Sequence, residues 1–221
     1  MDTHDILKAS RVRFMLKNIK LLIPFFILVG LSSCIIVKVR TPDEEFDTEF
    51  TILKKPSVPM SDVLIRSERG DMIAFLPKDW FFIDPEDKIP SNIFSVSANP
   101  DYSLCLIFAK LTNRIDVPQV LKKEGLLGIA KRSFEQKQSK SLNNVKLLGD
   151  FVPIKNGLQR FYIYKYENVA NNLIGKTAVF VTPLNEAYEF SLIETNINKK
   201  ENISNTEFDE IFNSVLASIQ F

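Results

Sequence analysis

The side chains able to carry chemistry in this chain are few, and their spacing suits little of it. His4 is the only histidine. Everything downstream therefore lacks the usual imidazole general base, the Ser-His-Asp and Cys-His arrangements and nearly every zinc site with nitrogen ligands. Seven glycines are scattered through the sequence without a Gly-x-Gly-x-x-Gly or Gly-Lys-Ser run, so no phosphate-cradling loop is expected. Carboxylates remain, and a pair of them suffices for glycoside hydrolysis. Asp84, Glu86 and Asp87 are close in sequence, but beside Pro85 and Lys88 they read as a solvated turn. Cys105 sits inside the apolar run Tyr102–Phe108 and reads as a small packing residue rather than a nucleophile. In Phe161–Tyr166, Tyr162, Tyr164 and Tyr166 share one face at period two alongside Arg160. Such a stripe packs beneath a helix with its hydroxyls at the rim. Alternatively it is a platform facing a peptide or ligand, because tyrosine and arginine are favoured at interfaces. No catalytic residue, metal-ligand set or cofactor is expected.

Between Lys17 and Arg40 a basic collar runs into an apolar block that ends at a cysteine. No residue from Leu21 to Val37 is charged, and Lys17 and Lys20 stand just ahead. Two readings compete. In the first, residues 15–33 are a lipoprotein signal, with a positive n-region and an apolar h-region. It closes on Leu31-Ser32-Ser33-Cys34, which resembles the bacterial lipobox, and Cys34 receives the lipid. In the second, residues 21–37 are an uncleaved anchor helix, at the lower edge of the roughly 17 to 25 residues a bilayer requires. Ile35-Ile36-Val37 speak against the first reading, since lipoproteins usually pass at once into a polar tether. Ser32-Ser33-Cys34 speak against the second. Both give one topology. Lys8, Arg11, Arg13, Lys17 and Lys20 precede the block, and positive residues prefer the cytoplasmic side. The chain beyond residue 40 is therefore expected outside the cytoplasm, in the bacterial cell envelope, held to membrane lipid through Cys34 or the 21–37 segment.

Composition divides the chain into a signal or anchor (1–40), a polar tether (41–62) and one globular domain (63–221). Forty-five per cent hydrophobic residues, with eighteen phenylalanines, supply a core. From Thr41 onward 21 basic residues face 25 acidic ones, which is not the footprint of a nucleic-acid binder. Acylation of Cys34 leaves Cys105 without a disulfide partner. The acidic run in the tether lacks the alternating ligands and turn glycine of a calcium loop.

The tyrosine stripe and Cys105 must be positioned by a sheet. Residues 63–67 and 72–76 flank Glu68-Arg69-Gly70-Asp71 as a hairpin, and residues 93–97 and 102–111 form a second pair across Asn99-Pro100-Asp101. Asp116 caps a helix that has Pro118 in its first turn. Val120, Leu127, Ala130 and Phe134 form its apolar face to about Gln138, with Gly125 and Gly128 weakening or bending it. Residues 145–152 and 158–166 form strands joined by Pro153–Gly157, and residues 174–182 and 187–194 form a further hairpin. A last helix follows Ser204-Asn205-Thr206, burying Phe208, Ile211, Phe212, Val215, Leu216 and Ile219. Ser218–Phe221 alternatively turns back as a short strand.

This order, with Phe75-Leu76-Pro77-Lys78-Asp79-Trp80 and the terminal Phe212–Phe221 pattern, resembles the PsbP-like family, which includes small DcrB-like bacterial lipoproteins. The resemblance covers residues 63–221. It implies an α+β fold, an α/β/α sandwich around a mostly antiparallel central sheet, with Trp80 packed in the core. It transfers no catalytic residue, because members bind different things and fold alone does not license a reaction. The function expected is that of a non-enzymatic, membrane-tethered envelope protein that binds or helps assemble another envelope protein. The rivals are a carboxylate-based hydrolase and a small-ligand or metal-ion binding module.

Overall fold

Among the described residues, period-two alternation and short turns build eight of ten strands into one sheet. The computed structural model describes residues 51–53, 55–84, 90–111, 115–197 and 203–221. Cys34, the 21–37 segment, Glu86 and Asp87 lie outside the described residues. In chain order the strands are β1 (Thr51–Ile52), β2 (Met60–Arg66), β3 (Ile73–Pro77), β4 (Phe81–Phe82), β5 (Ile93–Ala98) and β6 (Leu104–Lys110). Helix α1 (Val117–Lys140) follows, then β7 (Val145–Asn156), β8 (Gln159–Asn168), β9 (Leu173–Val181), β10 (Ala187–Glu194) and α2 (Asn205–Ser218). The sheet order is β1-β7-β8-β9-β10-β6-β5-β4, with β2-β3 a separate two-stranded sheet. β1 runs parallel to β7, and every other neighbouring pair is antiparallel. This is the mixed α+β architecture expected.

α2 covers one face of the sheet together with the β2-β3 hairpin. Ser204 caps it by accepting from the Glu207 N–H at 3.1 Å. Phe208, Ile211, Phe212, Val215, Leu216 and Ile219 are all buried, and each such burial is worth roughly 1.5–3 kcal/mol. Phe212 stacks on Phe190 with centroids 4.7 Å apart, and Phe190 stacks on Phe108 at 5.4 Å. Trp80 belongs to this same core. Past the helix the chain does turn back, and Gln220 and Ile73 exchange two 2.9 Å backbone bonds.

α1 covers the other face but is not one straight helix. Asp116 caps it as expected, accepting from Gln119 N–H at 3.1 Å. Gly125 takes φ 64° and ψ −166° inside it, a conformation that costs glycine little and breaks the hydrogen-bond ladder. The break resets the buried face. Leu126, Ile129, Ala130 and Ser133 occupy the core positions after it, and Leu127, expected there, is only half-buried.

Two boundaries differ from the sequence reading. The tether does not run to residue 62, since Thr51 and Ile52 pair with Ile154 and Lys155. The N–H groups of Ser57 and Val58 donate to Ser214 Oγ at 2.9 and 3.2 Å, and Leu53, Val58 and Met60 pack on the core. Backbone pairing and three apolar side chains draw this polar-looking stretch into the fold. The loop expected over Pro153–Gly157 also contracts: Asn156 pairs with Gln159, leaving only Gly157 and Leu158 in the turn.

Candidate functional site

The tyrosine stripe lies beneath α1. Tyr164 pairs across the sheet with Thr177, which pairs with Ser191, and Tyr166 pairs with Gly175. Tyr164 and Tyr166 are buried, Tyr162 is partly exposed against the same cluster, and Arg160 is exposed at the start of β8 opposite Lys155. Gly175 is required here, because a Cβ on it would stand 2.3 Å from Tyr166 Cζ.

A chain of polar contacts runs through this layer. Lys137 Nζ donates to Glu189 Oε1 at 2.5 Å, and Ser133 Oγ donates to the other oxygen of Glu189. With its single proton spent, Ser133 Oγ accepts from the Tyr164 hydroxyl, 2.7 Å away. Thr177 Oγ1 and Ser191 Oγ are 2.8 Å apart beside it. Burial pulls Lys137 down, but the facing Glu189 charge outweighs it and holds the ammonium above its ordinary value. Burial raises the Tyr164 and Tyr166 phenols. The set is thus an ion pair with neutral phenols around it. Through Ser133 and Lys137 the arrangement fastens α1 to Tyr164 on β8 and Glu189 on β10, and the Thr177–Ser191 bond ties β9 to β10 beside them.

The opposite edge of the hairpin layer forms a recess. Asp71, in the β2-β3 turn, accepts from Ser67 Oγ at 2.7 Å, Thr182 Oγ1 at 2.6 Å and Tyr188 OH at 2.8 Å. Burial pushes its carboxyl up, but these hydrogen bonds outweigh burial and hold it below the ordinary 3.8. Burial, then the bond to Asp71, raises the Tyr188 phenol. Next to it Glu186 receives Lys110 Nζ at 2.7 Å and the Arg69 guanidinium. The Lys110 bond outweighs burial and holds the Glu186 carboxyl low. The turn is thereby pinned to the β9-β10 turn. Between it and β5 lies a hollow of about 130 Å³ lined by Arg69 and Lys110, by Phe94 and Tyr188, and by Glu68, Ser91 and Asn92. Phe94 separates it from a more open groove of about 380 Å³ between β2 and the β4-β5 edge.

The sequence reading missed this recess. Arg69 and Glu186 stand 117 residues apart, so no local spacing links them. The one available signal was the turn Glu68-Arg69-Gly70-Asp71, whose charged residues were read only as turn chemistry. Elsewhere, Cys105 lies half-buried on β6, and burial pushes its thiol up to about 11. Among the described residues no group of three or more His, Cys, Asp or Glu is placed to hold a metal ion. Among them, too, no helix is long and apolar enough to cross a membrane.

Solved structures share this architecture. The cyanobacterial PsbP (CyanoP) from Synechocystis sp. PCC 6803 superposes with a TM-score of 0.50 at 13% identity, over 72% of this chain and 91% of that one. The fold is PsbP-like. The PsbP-like layering accounts for the sheet between α1 on one side and α2 with the β2-β3 hairpin on the other, and for Trp80 in the core. The Ran-binding protein Mog1p of Saccharomyces cerevisiae matches with a TM-score of 0.45 at 13% identity, over 73% of this chain and 95% of that one. LpqN of Mycobacterium tuberculosis, described as involved in cell envelope biogenesis, matches with a TM-score of 0.41 at 14% identity, over 72% and 90%. No protein-family model and no curated protein sequence matches the chain.

Proposed function

We propose that this chain is a membrane-tethered, non-enzymatic cell-envelope protein whose PsbP-like domain binds another envelope component at the Arg69–Lys110 recess. The observation that carries this reading is a hollow with an aromatic lining onto which two cations open, Arg69 and Lys110, held together at their shared partner Glu186. An arginine has five N–H donors and a lysine three, and in the structure each contributes one hydrogen bond to Glu186. The remaining donors suit an acidic group on the partner, and Phe94 and Tyr188 suit an apolar or aromatic side chain beside it. The groups with reactive potential support a binding role. Asp71 takes three hydroxyl bonds, Glu189 is paired with Lys137, and the Cys105 thiol stays protonated near neutrality.

Attachment is proposed to run through Cys34 or the 21–37 segment, with the domain outside the cytoplasm. Mass spectrometry of the mature N-terminus tests it: an acylated peptide beginning at Cys34 supports lipidation, whereas recovery of residues 21–33 in the mature protein defeats it. For the recess, affinity capture from intact envelopes compares the native chain with the Arg69→Glu/Lys110→Glu variant. Partner recovery is expected to fall at least about tenfold, the equivalent of about 1.4 kcal/mol. Equal recovery from a variant of undiminished stability overturns the recess as the site.

A further inference from the structure

Among the described residues the β2 strand has a neighbour on one side only. It pairs with β3, and that two-stranded sheet ends there. The phase of the pairing follows from the turn. Ser67 N–H donates to Met72 O at 3.0 Å, so backbone groups of Ser67, and by alternation of Ile65, face β3. Leu64 and Arg66 therefore direct their N–H and C=O groups off the outer edge. Their partners on β3 behave in the matching way. Ile73 sends both groups outward to Gln220, and Phe75 N–H reaches Ser218 Oγ at 3.1 Å. The outer edge of β3 is thus covered by the chain end, and among the described residues the outer edge of β2 is bare.

Bare edges are normally guarded by lysine, proline or an inward charge, because they template pairing with another chain. This one carries neither lysine nor proline over Met60–Arg66. Val63 and Leu64 are 39% and 44% exposed, and Phe82, which lines the 380 Å³ groove with Leu64, is 47% exposed. The register with β3 shifts between Met60 and Leu64, so regular pairing with β3 covers Leu64 to Arg66, while the strand itself runs from Met60 and includes Asp62.

The charges on this strand select the occupant. Asp62, Leu64 and Arg66 are exposed and alternate along it, with the acid and the base equidistant from Leu64. We infer that β2 is a self-association surface, taking the β2 strand of a second copy of this chain antiparallel across a two-fold axis at Leu64. This register sets each Asp62 opposite the other copy's Arg66, within reach of its long side chain. Leu64 then faces Leu64, and Val63 faces Ile65. The interface is isologous, as two-fold dimers require. The outward groups of Leu64 and Arg66 gain partners, and the two hairpins join into one four-stranded sheet. The recess on the far side of Phe94 stays available, so the inference does not rest on the proposed function.

The test uses the full chain in its membrane. In Leu64→Cys the two introduced thiols lie on paired residues about 5.5 Å apart between Cα atoms, inside the range a disulfide spans. Mild oxidation is expected to give a dimer on a non-reducing gel, at least about tenfold more than Leu158→Cys, a residue 96% exposed in the β7-β8 turn. Adding Asp62→Arg or Arg66→Asp singly is expected to cut the cross-link about tenfold, since like charges then face each other. Combining both in one chain restores it, and co-expressing the two single variants restores it as a heterodimer. Cross-linking no greater than at Leu158, indifference to the charge changes, or an adduct with a different protein in place of the dimer overturns the inference. The double variant guards against misfolding, because it carries both substitutions.

Discussion

The two faces of the sheet are each covered by one helix, yet they are held by different physics. Beneath α2 the contacts are mainly aromatic, with Phe212 on Phe190 and Phe190 on Phe108. Beneath α1 an ion pair, two hydroxyls and a phenol are threaded through the layer. The difference follows from the helices. α2 is unbroken and presents an apolar stripe at regular spacing, so buried area carries most of its seating, with Ser214 and Ser218 adding bonds to neighbouring backbone N–H groups. α1 breaks at Gly125 and offers Ser133 and Lys137 to the sheet beyond the break, so its seating depends on directional bonds. A helix that cannot supply a continuous apolar stripe is positioned by polar groups that fit one register only.

Substitutions separate the two modes. The largest loss is expected from Phe212→Ala, which empties a fully buried site at the centre of the aromatic stack: about 3–5 kcal/mol by chemical denaturation. Glu189→Ala comes next. It leaves Lys137 without its counter-charge, and because the side chains of Lys137 and Glu189 keep 19% and 12% of their surface exposed, the loss falls at the low end, about 3 kcal/mol. The double change Lys137→Met/Glu189→Leu is expected to cost less than Glu189→Ala alone, since an apolar pair needs no counter-charge. If the double change costs more, the ion pair itself contributes net stability and the contrast between the faces sharpens. Gly175→Ala forces a Cβ into Tyr166 and should cost about 1–3 kcal/mol.

The smallest effect is a pH dependence outside both faces, at Asp71. Its folded pKa is below the ordinary 3.8, so its contribution is fully present above that value and is lost as pH falls through the folded pKa. The stability gap between the native chain and Asp71→Asn, read from urea midpoints, should therefore be widest near neutrality and narrow below about pH 4. A gap that widens in acid reverses the sign.

The same contrast explains what the sequence disclosed. α2 was legible because Phe208, Ile211, Phe212, Val215, Leu216 and Ile219 satisfy the helical period and pack on apolar strands with nothing to contradict it. The hairpins were legible through their turn residues. α1 was legible at its cap, Asp116, in Val120, Ala130 and Phe134 on its packed face and in the bend at Gly125, but the non-helical glycine puts Leu126 and Ile129 in the core where the unbroken period put Leu127. The tether boundary was misread because β1 is only two residues long and takes its stability from pairing with residues a hundred positions away. The tyrosine stripe was seen as a face, but its partners Ser133, Lys137 and Glu189 come from α1 and β10 and leave no local pattern. The recess was invisible for the same reason, since Arg69, Lys110 and Glu186 meet only when three separate turns and strands are assembled.

The central claim is a division of labour in which the α1 face secures the fold and the recess beside the β2-β3 turn makes the contact with a partner. Photo-cross-linking in intact envelopes tests it most directly, with the reactive residue placed at Asn92 in the recess or at Lys131 on the exposed side of α1. The expected result is one discrete adduct from Asn92, abolished by Arg69→Glu/Lys110→Glu, and none from Lys131. An adduct from Lys131 with none from Asn92 contradicts it.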